Sequence, residues 1–258
     1  MKVTILGCGT SSGVPTLACK CKVCRSKNPK NNRTRASAWI QLENKKSILI
    51  DTGPDFRAQA LREKIERVDA VLYTHPHSDH IGGLDDLRAF NFAQQGLIPV
   101  YGHEWTLDRL NEVYSYIFSG KPAEGGDVAK LKQIEIKPTS KSFQLFGQQI
   151  QPLFLPHGSM STIGFRIGNF GYIVDCHEIP SELYPKLKGL KALVLDCVKI
   201  KPHPTHLNLQ MALDASSKIA AEKTYLTHLG HDFDYRKTNR MLPKGVELAY
   251  DGLNIKIS

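Results

Sequence analysis

Thr74-His75-Pro76-His77-Ser78-Asp79-His80, directly behind the short apolar run at residues 70–73, decides how this chain is read. Four ligand-type side chains fall within six residues, and clustered imidazoles and carboxylates are costly to bury unless something pairs with them. A divalent cation reverses that cost, and neutral imidazole with carboxylate suits zinc, manganese or iron. Alternation along an extended loop would send His75 and His77 one way and Asp79 and His80 elsewhere, so one motif can supply two metal ions. A two-metal site needs further groups, and the chain places them where apolar runs stop. His157 follows residues 152–155, Asp175 follows 172–174 and His228 follows 225–227. Strand ends are where α/β folds commonly build sites, so all three are read as ligands.

Working outward, residues 2–6 alternate as a strand and run into Gly7-Cys8-Gly9-Thr10-Ser11-Ser12-Gly13, a loop whose glycines allow sharp turns. Further strands are expected at 38–42, 47–50, 70–73, 133–137, 149–155, 164–167, 172–174, 192–195, 225–227 and 246–250. Helices are expected at 55–66, 84–92, 105–118 and 207–222. The basic stretch 27–35 reads as surface loop, and 119–147, with Gly125-Gly126, reads as a lid, an insertion or a plain surface excursion. Strands and helices interleave without repeat or linker, which predicts one domain over residues 1–258, sheets covered by helices.

Composition bounds the function. At 258 residues, 41% hydrophobic and 23% charged, with 14 prolines and 20 glycines, the chain is neither a disordered tail nor collagen-like. A net charge of +9 favours anionic or phosphorylated partners, with plain basic solubility as the alternative. Among the six cysteines, Cys19, Cys21 and Cys24 crowd into C-x-C-x-x-C spacing while Cys8, Cys176 and Cys197 stand alone without an evident role. That distribution suits a metal rather than a disulfide framework. Neither a signal peptide nor a membrane span is legible, so a cytoplasmic, reduced protein without a membrane partner is expected.

The histidine motif, followed in order by His157, Asp175 and His228, resembles the metallo-β-lactamase superfamily of di-metal hydrolases over residues 3–231. The resemblance implies an αβ/βα four-layer sandwich of two mixed sheets flanked by helices, with the metals between the sheets. It implies that His75, His77 and His157 hold one ion, Asp79, His80 and His228 the other, that Asp175 bridges them, and that Asp51 organises the loops behind. Cys176, beside Asp175, is the alternative ligand, although a carboxylate has two oxygens to share. His80 departs from the pattern of true β-lactamases and resembles the branch that hydrolyses phosphodiesters or thioesters.

Residues 6–15 followed by Cys19, Cys21 and Cys24 resemble the phosphodiesterases of the carbon–phosphorus lyase pathway. That resemblance implies a structural zinc on Cys19, Cys21, Cys24 and His231, a closed Cys₃His set. It also implies that His206 protonates the leaving group, with His203 as local competitor, and that the protein is a homodimer. Asp79 and His206 are thus the candidate catalytic residues, and the expected cofactors are two divalent ions, manganese or zinc, plus one structural zinc. The expected activity is hydrolysis of small, including cyclic, phosphodiesters by hydroxide made available between the two ions. Arg33, Arg35 and Lys45 are candidates for guiding an anionic substrate.

Two alternatives stay open. RNA 3′-end processing uses a similar core but needs a gripping module for which 119–147 is the only candidate, so nucleic acid is not the favoured partner. The pyrroloquinoline-quinone biosynthesis branch, which would make the chain a non-catalytic carrier, shares the glycine-rich start and the C-x-C-x-x-C. A glyoxalase-type thioester hydrolase would need a helical domain after the core, and only thirty residues follow His228.

Overall fold

The computed structural model describes residues 1–120 and 127–257. Strands β1 (Lys2–Gly7), β2 (Ser37–Gln41), β3 (Ser47–Ile50), β4 (Ala70–Leu72), β5 (Ile98–Gly102) and β6 (Leu131–Glu135) build the first sheet. The second holds β7 (Phe143–Leu145), β8 (Gln148–His157), β9 (Met160–Ile167), β10 (Phe170–Ile173), β11 (Ala192–Asp196), β12 (Lys223–Thr227) and β13 (Val246–Leu248). Strand β14 (Leu253–Lys256) returns to pair with β1, so the orders are β14-β1-β2-β3-β4-β5-β6 and β13-β12-β11-β10-β9-β8-β7. In each sheet one half is antiparallel and the other parallel, the change falling at β3 and at β10. The helices are α1 (Phe56–Arg62), α2 (Ser78–Ile81), α3 (Leu87–Gln94), α4 (Glu104–Val113), α5 (Ser115–Phe118), α6 (Leu209–Ile219) and α7 (Tyr235–Asn239). The architecture is the αβ/βα sandwich of two mixed sheets.

Period-2 alternation explains the layers. Val3, Ile5, Ala38, Ile40, Ile48, Ile50 and Leu72 form one core with Leu153, Leu155, Ile163 and Phe165 of the second sheet. Their neighbours Leu6, Trp39, Leu49 and Val71 face the other way and pack with Phe56 of α1, Leu87 and Phe90 of α3, and Leu107 and Leu110 of α4. On the second sheet, Ala212, Ala215 and Ile219 of α6 join the first core. Strands buried on both faces therefore read as continuous apolar runs in the sequence.

Several expectations are corrected. The motif is extended only to His77. From Ser78 it turns into α2, so Asp79 and His80 part from the preceding histidines by helical rotation. The expected helix 105–118 breaks at Tyr114 (φ −114, ψ 41), whose hydroxyl donates to Ile81 O at 3.0 Å. The helix expected from 207 starts at Leu209, because the Asn208 side chain accepts from Met211 N at 2.9 Å and caps it. Strand β5 is not among the expected strands, since Pro99 inside it cannot donate to a ladder; the short β7, α7 and β14 are likewise additions. Residues 131–135 and 143–145 form edge strands of the two sheets, which makes this part of 119–147 a crossover; Gly125-Gly126 lie outside the described residues. The stretch 27–35 is not simply surface, because Asn31 is 0% and Arg33 only 2% exposed.

Candidate functional site

Six strand ends deliver the site. Asp51 follows β3 and His75 lies just beyond β4 in the first sheet, while His157 and Asp196 end β8 and β11 in the second. Asp175 follows β10 and His228 follows β12. Three of these residues, Asp51 (φ +61), Asp175 (φ +53) and His228 (φ +58), adopt the left-handed region although none is glycine. Such conformations persist only where the surroundings enforce them, and they gather at functional sites.

One trio is made of imidazoles. His75 Nε2 lies 2.9 Å, and His157 Nε2 3.4 Å, from His77 Nδ1. The Thr205 carbonyl, 3.0 Å from His157 Nδ1, accepts its proton and leaves the Nε2 lone pair facing the trio. Burial holds His75 well below the usual imidazole range and lowers His77 and His157, which favours the neutral, ligating form.

The second set is rich in carboxylate. His80 Nε2 lies 2.9 Å from Asp175 Oδ2 and 3.3 Å from Asp79 Oδ2; His228 Nε2 lies 3.2 Å from Asp175 Oδ1 and 3.7 Å from Asp79 Oδ2. Asp175 thus turns one oxygen to each histidine and also groups with His75 and His80. Burial opposes charge on His80, but Asp175, Asp51 and Asp79 outweigh it and raise its pKa well above the usual value. Burial likewise works against the Asp79 and Asp175 carboxylates, yet the neighbouring histidines keep both low.

These atoms fit divalent ions better than they fit each other. His80 Nε2, Asp175 Oδ2 and His228 Nε2 are buried and close, yet none has a hydrogen-bond partner of acceptable geometry. Buried polar atoms are satisfied in roughly 90% of cases or more. Ligands about 2.0–2.2 Å from one ion stand about 3–3.5 Å apart, close to the separations found here.

Asp51 secures the back of the set. Fully buried, it accepts from Thr74 N (2.8 Å), Thr74 Oγ1 (2.8 Å) and His80 Nδ1 (2.7 Å). Asp51→Asn is expected to weaken metal affinity by about 10–100-fold, read by competition with a chelating dye. The close approach of Gly53 is equally structural, because a Cβ there would fall on the Asp79 carbonyl. Gly53→Ala is expected to destabilise the chain by about 1–3 kcal/mol, read as a lower midpoint in denaturant unfolding at unchanged slope.

His206 is the histidine that reaches the centre. Its Nδ1 lies 3.2 Å from Asp175 Oδ1 and 3.5 Å from Asp196 Oδ2, and its ring stacks on His228 with centroids 4.9 Å apart. His203 instead turns its Nδ1 toward Thr205, 3.3–3.4 Å away. Asp196 is not among the residues expected from the sequence. It is fully buried, accepts from Leu207 N at 2.9 Å and lies 3.7 Å from His228 Nδ1. Its signal was the one that marked Asp175: a carboxylate where an apolar run, 192–195, stops.

Cys19, Cys21, Cys24 and His231 converge separately, with the three sulfurs 3.1, 3.6 and 3.6 Å from His231 Nδ1. A tetrahedral zinc places sulfur and nitrogen ligands about 3.5 Å apart, so this set fits one. All six cysteines are free. Burial pushes the thiols of Cys8, Cys176 and Cys197 well above the usual range; among the described residues Asp175, and not Cys176, joins the ligand clusters. Of the proposed substrate guides, Arg33 is buried, Arg35 pairs with Asp55 at 3.1 Å, and Lys45 sits at the β2–β3 turn, the far end of β3 from Asp51. Among the described residues no helix is long and apolar enough to cross a membrane.

The chain belongs to the metallo-β-lactamase superfamily, a beta-lactamase superfamily domain being matched over residues 46–229. Within it the chain is similar to a diphosphatase from the PhnP family, whose crystal structure matches with a TM-score of 0.92 at 40% identity, covering 100% of this chain and 98% of the other. An octanoyltransferase from Porphyromonas gingivalis is 37% identical over 255 residues, 98% of this chain; the chain spans only about half of that relative (51%). Coenzyme PQQ synthesis protein B from Methylorubrum populi is 26% identical over 228 residues, 76% of this chain and 72% of that protein.

Proposed function

We propose that the chain is a di-metal hydrolase of small phosphodiesters, cyclic ones included. The observation that carries this is the convergence of His80 Nε2, Asp175 and His228 Nε2, unpaired by hydrogen bonds, beside the His75–His77–His157 trio. His75, His77 and His157 would hold one divalent ion, Asp79, His80 and His228 the other, with Asp175 between them; Cys19, Cys21, Cys24 and His231 would hold a structural zinc. Two such ions, manganese or zinc, would supply the chemistry of hydroxide near neutral pH and of charge stabilisation on the phosphoryl oxygens.

The chain's own residues do the rest. His206 directs Nδ1 at Asp175 and Asp196, which leaves Nε2 to give a proton to the departing oxygen as general acid. The ring stands between Asp196, 3.5 Å from Nδ1 and itself held by Leu207 N, and the stacked face of His228. Asp51 holds the unused nitrogen of His80 and so its orientation.

A second reading, cleavage of a diphosphate linkage, is favoured by the full-length similarity to the diphosphatase. The octanoyltransferase name belongs to a protein twice as long and carries less weight. A panel of cyclic diesters, linear diesters and dinucleoside diphosphates, tested with manganese and with zinc, separates these readings. Turnover confined to diesters supports the first, turnover confined to diphosphates supports the second, and tight salt-sensitive tRNA binding with neither activity would favour RNA processing.

A further inference from the structure

Arg33 is a cation in the wrong place for a surface loop. It is 2% exposed, burial works against its charge, and among the described residues no carboxylate pairs with it. Its guanidinium is spent on backbone instead. Nη1 donates to Gly230 O at 2.9 Å, and Nη2 donates to Phe233 O at 2.6 Å and to Asn31 Oδ1 at 3.3 Å. Asn31 is itself fixed, accepting from Tyr235 N at 2.8 Å and donating to Asp234 Oδ2 at 2.9 Å.

The two carbonyls lie on the turn that links both candidate metal centres. His228 and His231 are three residues apart on it, and Arg33 grips the segment at Gly230 and Phe233, just before and two residues after His231. The turn needs holding, because His228 itself sits at φ +58. Leu229 N donates to Cys8 O at 2.8 Å and Gly230 N to Val198 O at 3.0 Å, and Arg33 reaches beyond His231 to Phe233. The main chain of Arg33 closes the other side. Its N–H donates to Val14 O at 2.6 Å and its carbonyl accepts from Val14 N at 2.9 Å, an isolated antiparallel bridge that anchors the segment from which the cysteine loop departs. Three thiolates around one Zn²⁺ would leave a net charge of −1, which the buried Arg33 guanidinium would partly offset.

We propose that Arg33 is a positioning residue that makes the cysteine cluster and His228 one rigid unit, so that metal on the cluster sets the affinity of the His228 side of the active centre. This rests on the reading of His228 as a metal ligand.

A double-mutant cycle with Arg33→Met and Cys21→Ser tests it, reading Co²⁺ affinity at the histidine–carboxylate centre from its d–d absorption and hydrogen exchange of amides 227–233. Each single variant is expected to weaken Co²⁺ binding at the second of the two sites by about 10–100-fold and to deprotect the turn. The double variant is expected to lose little more than either single one. Arg33→Lys, which keeps the charge and one donor direction, should recover part of the affinity; if Arg33→Met does not fold, this variant and Cys21→Ser carry the test. Wild-type affinity with a protected turn in Arg33→Met or in Cys21→Ser, or fully additive losses, would overturn the proposal while leaving the di-metal reading intact. A wild-type chain that binds no Co²⁺ at the histidine cluster would overturn both.

Discussion

Asp175→Ala is expected to remove phosphodiester turnover by at least about 10³-fold, more than the roughly 10–100-fold that follows from disturbing an outer partner of a metal site. Three features make this the most damaging change. Asp175 is 2% exposed, its two oxygens face different histidines, and it stands in contact with both ligand groups as well as with His206. Its loss leaves His80 and His228 buried without the carboxylate that favours their charged forms, and takes away both oxygen donors and the negative charge that would offset two divalent ions. Metal analysis should fall from about three ions per chain toward one, the cysteine-bound zinc surviving because its ligands are separate. Asp175→Asn is the sharper comparison, keeping shape while removing charge. If it bound both ions with wild-type affinity, Asp175 would not be the bridge.

His206→Ala is expected to leave metal content unchanged and to lower kcat by about 10²–10⁴-fold on diesters whose leaving group is an ordinary alkoxide. On esters of p-nitrophenol the loss should be small, since that leaving group departs without a proton. The contrast distinguishes a proton donor from a ligand. His206 is near enough to Asp175, Asp196 and His228 to join them around an ion. Were it a ligand, the variant would lose metal and activity on both substrate types together. Asp196→Asn should show the same leaving-group dependence in weaker form, because Asp196 acts by orienting the ring.

Much of this arrangement was legible because its signals are local. Ligand-type residues at the ends of apolar runs point to His157, Asp175 and His228, which the structure brings together, and the tight cysteine spacing marks a cluster that His231 joins. Two-sided burial of the strands made them conspicuous as apolar runs. What escaped depends on long-range contacts. Arg33 reads as one more basic residue in a polar stretch, and only the return of residues 230–233 against it shows why it is buried. Helix α2 is four residues long and cannot be told from a loop by periodicity, so the division of His75 and His77 from Asp79 and His80 came with the wrong geometry. The left-handed backbone at Asp51, Asp175 and His228 has no local signature, since it is imposed by the loops around it. Asp196 carries the same local signal at the end of 192–195, but its partner His206 lies ten residues further on, in a loop with no periodicity to tie the two together.

The central claim, that paired divalent ions in the histidine–aspartate cluster hydrolyse a phosphodiester, is tested most directly by the rate of bis(p-nitrophenyl) phosphate hydrolysis. The rate is measured on protein of known metal content, before and after chelation and in His75→Ala. The account predicts turnover from the loaded protein that disappears on chelation, returns with manganese or zinc, and is absent from the variant. Protein carrying three metals per chain with no turnover, or turnover that His75→Ala leaves intact, would contradict it.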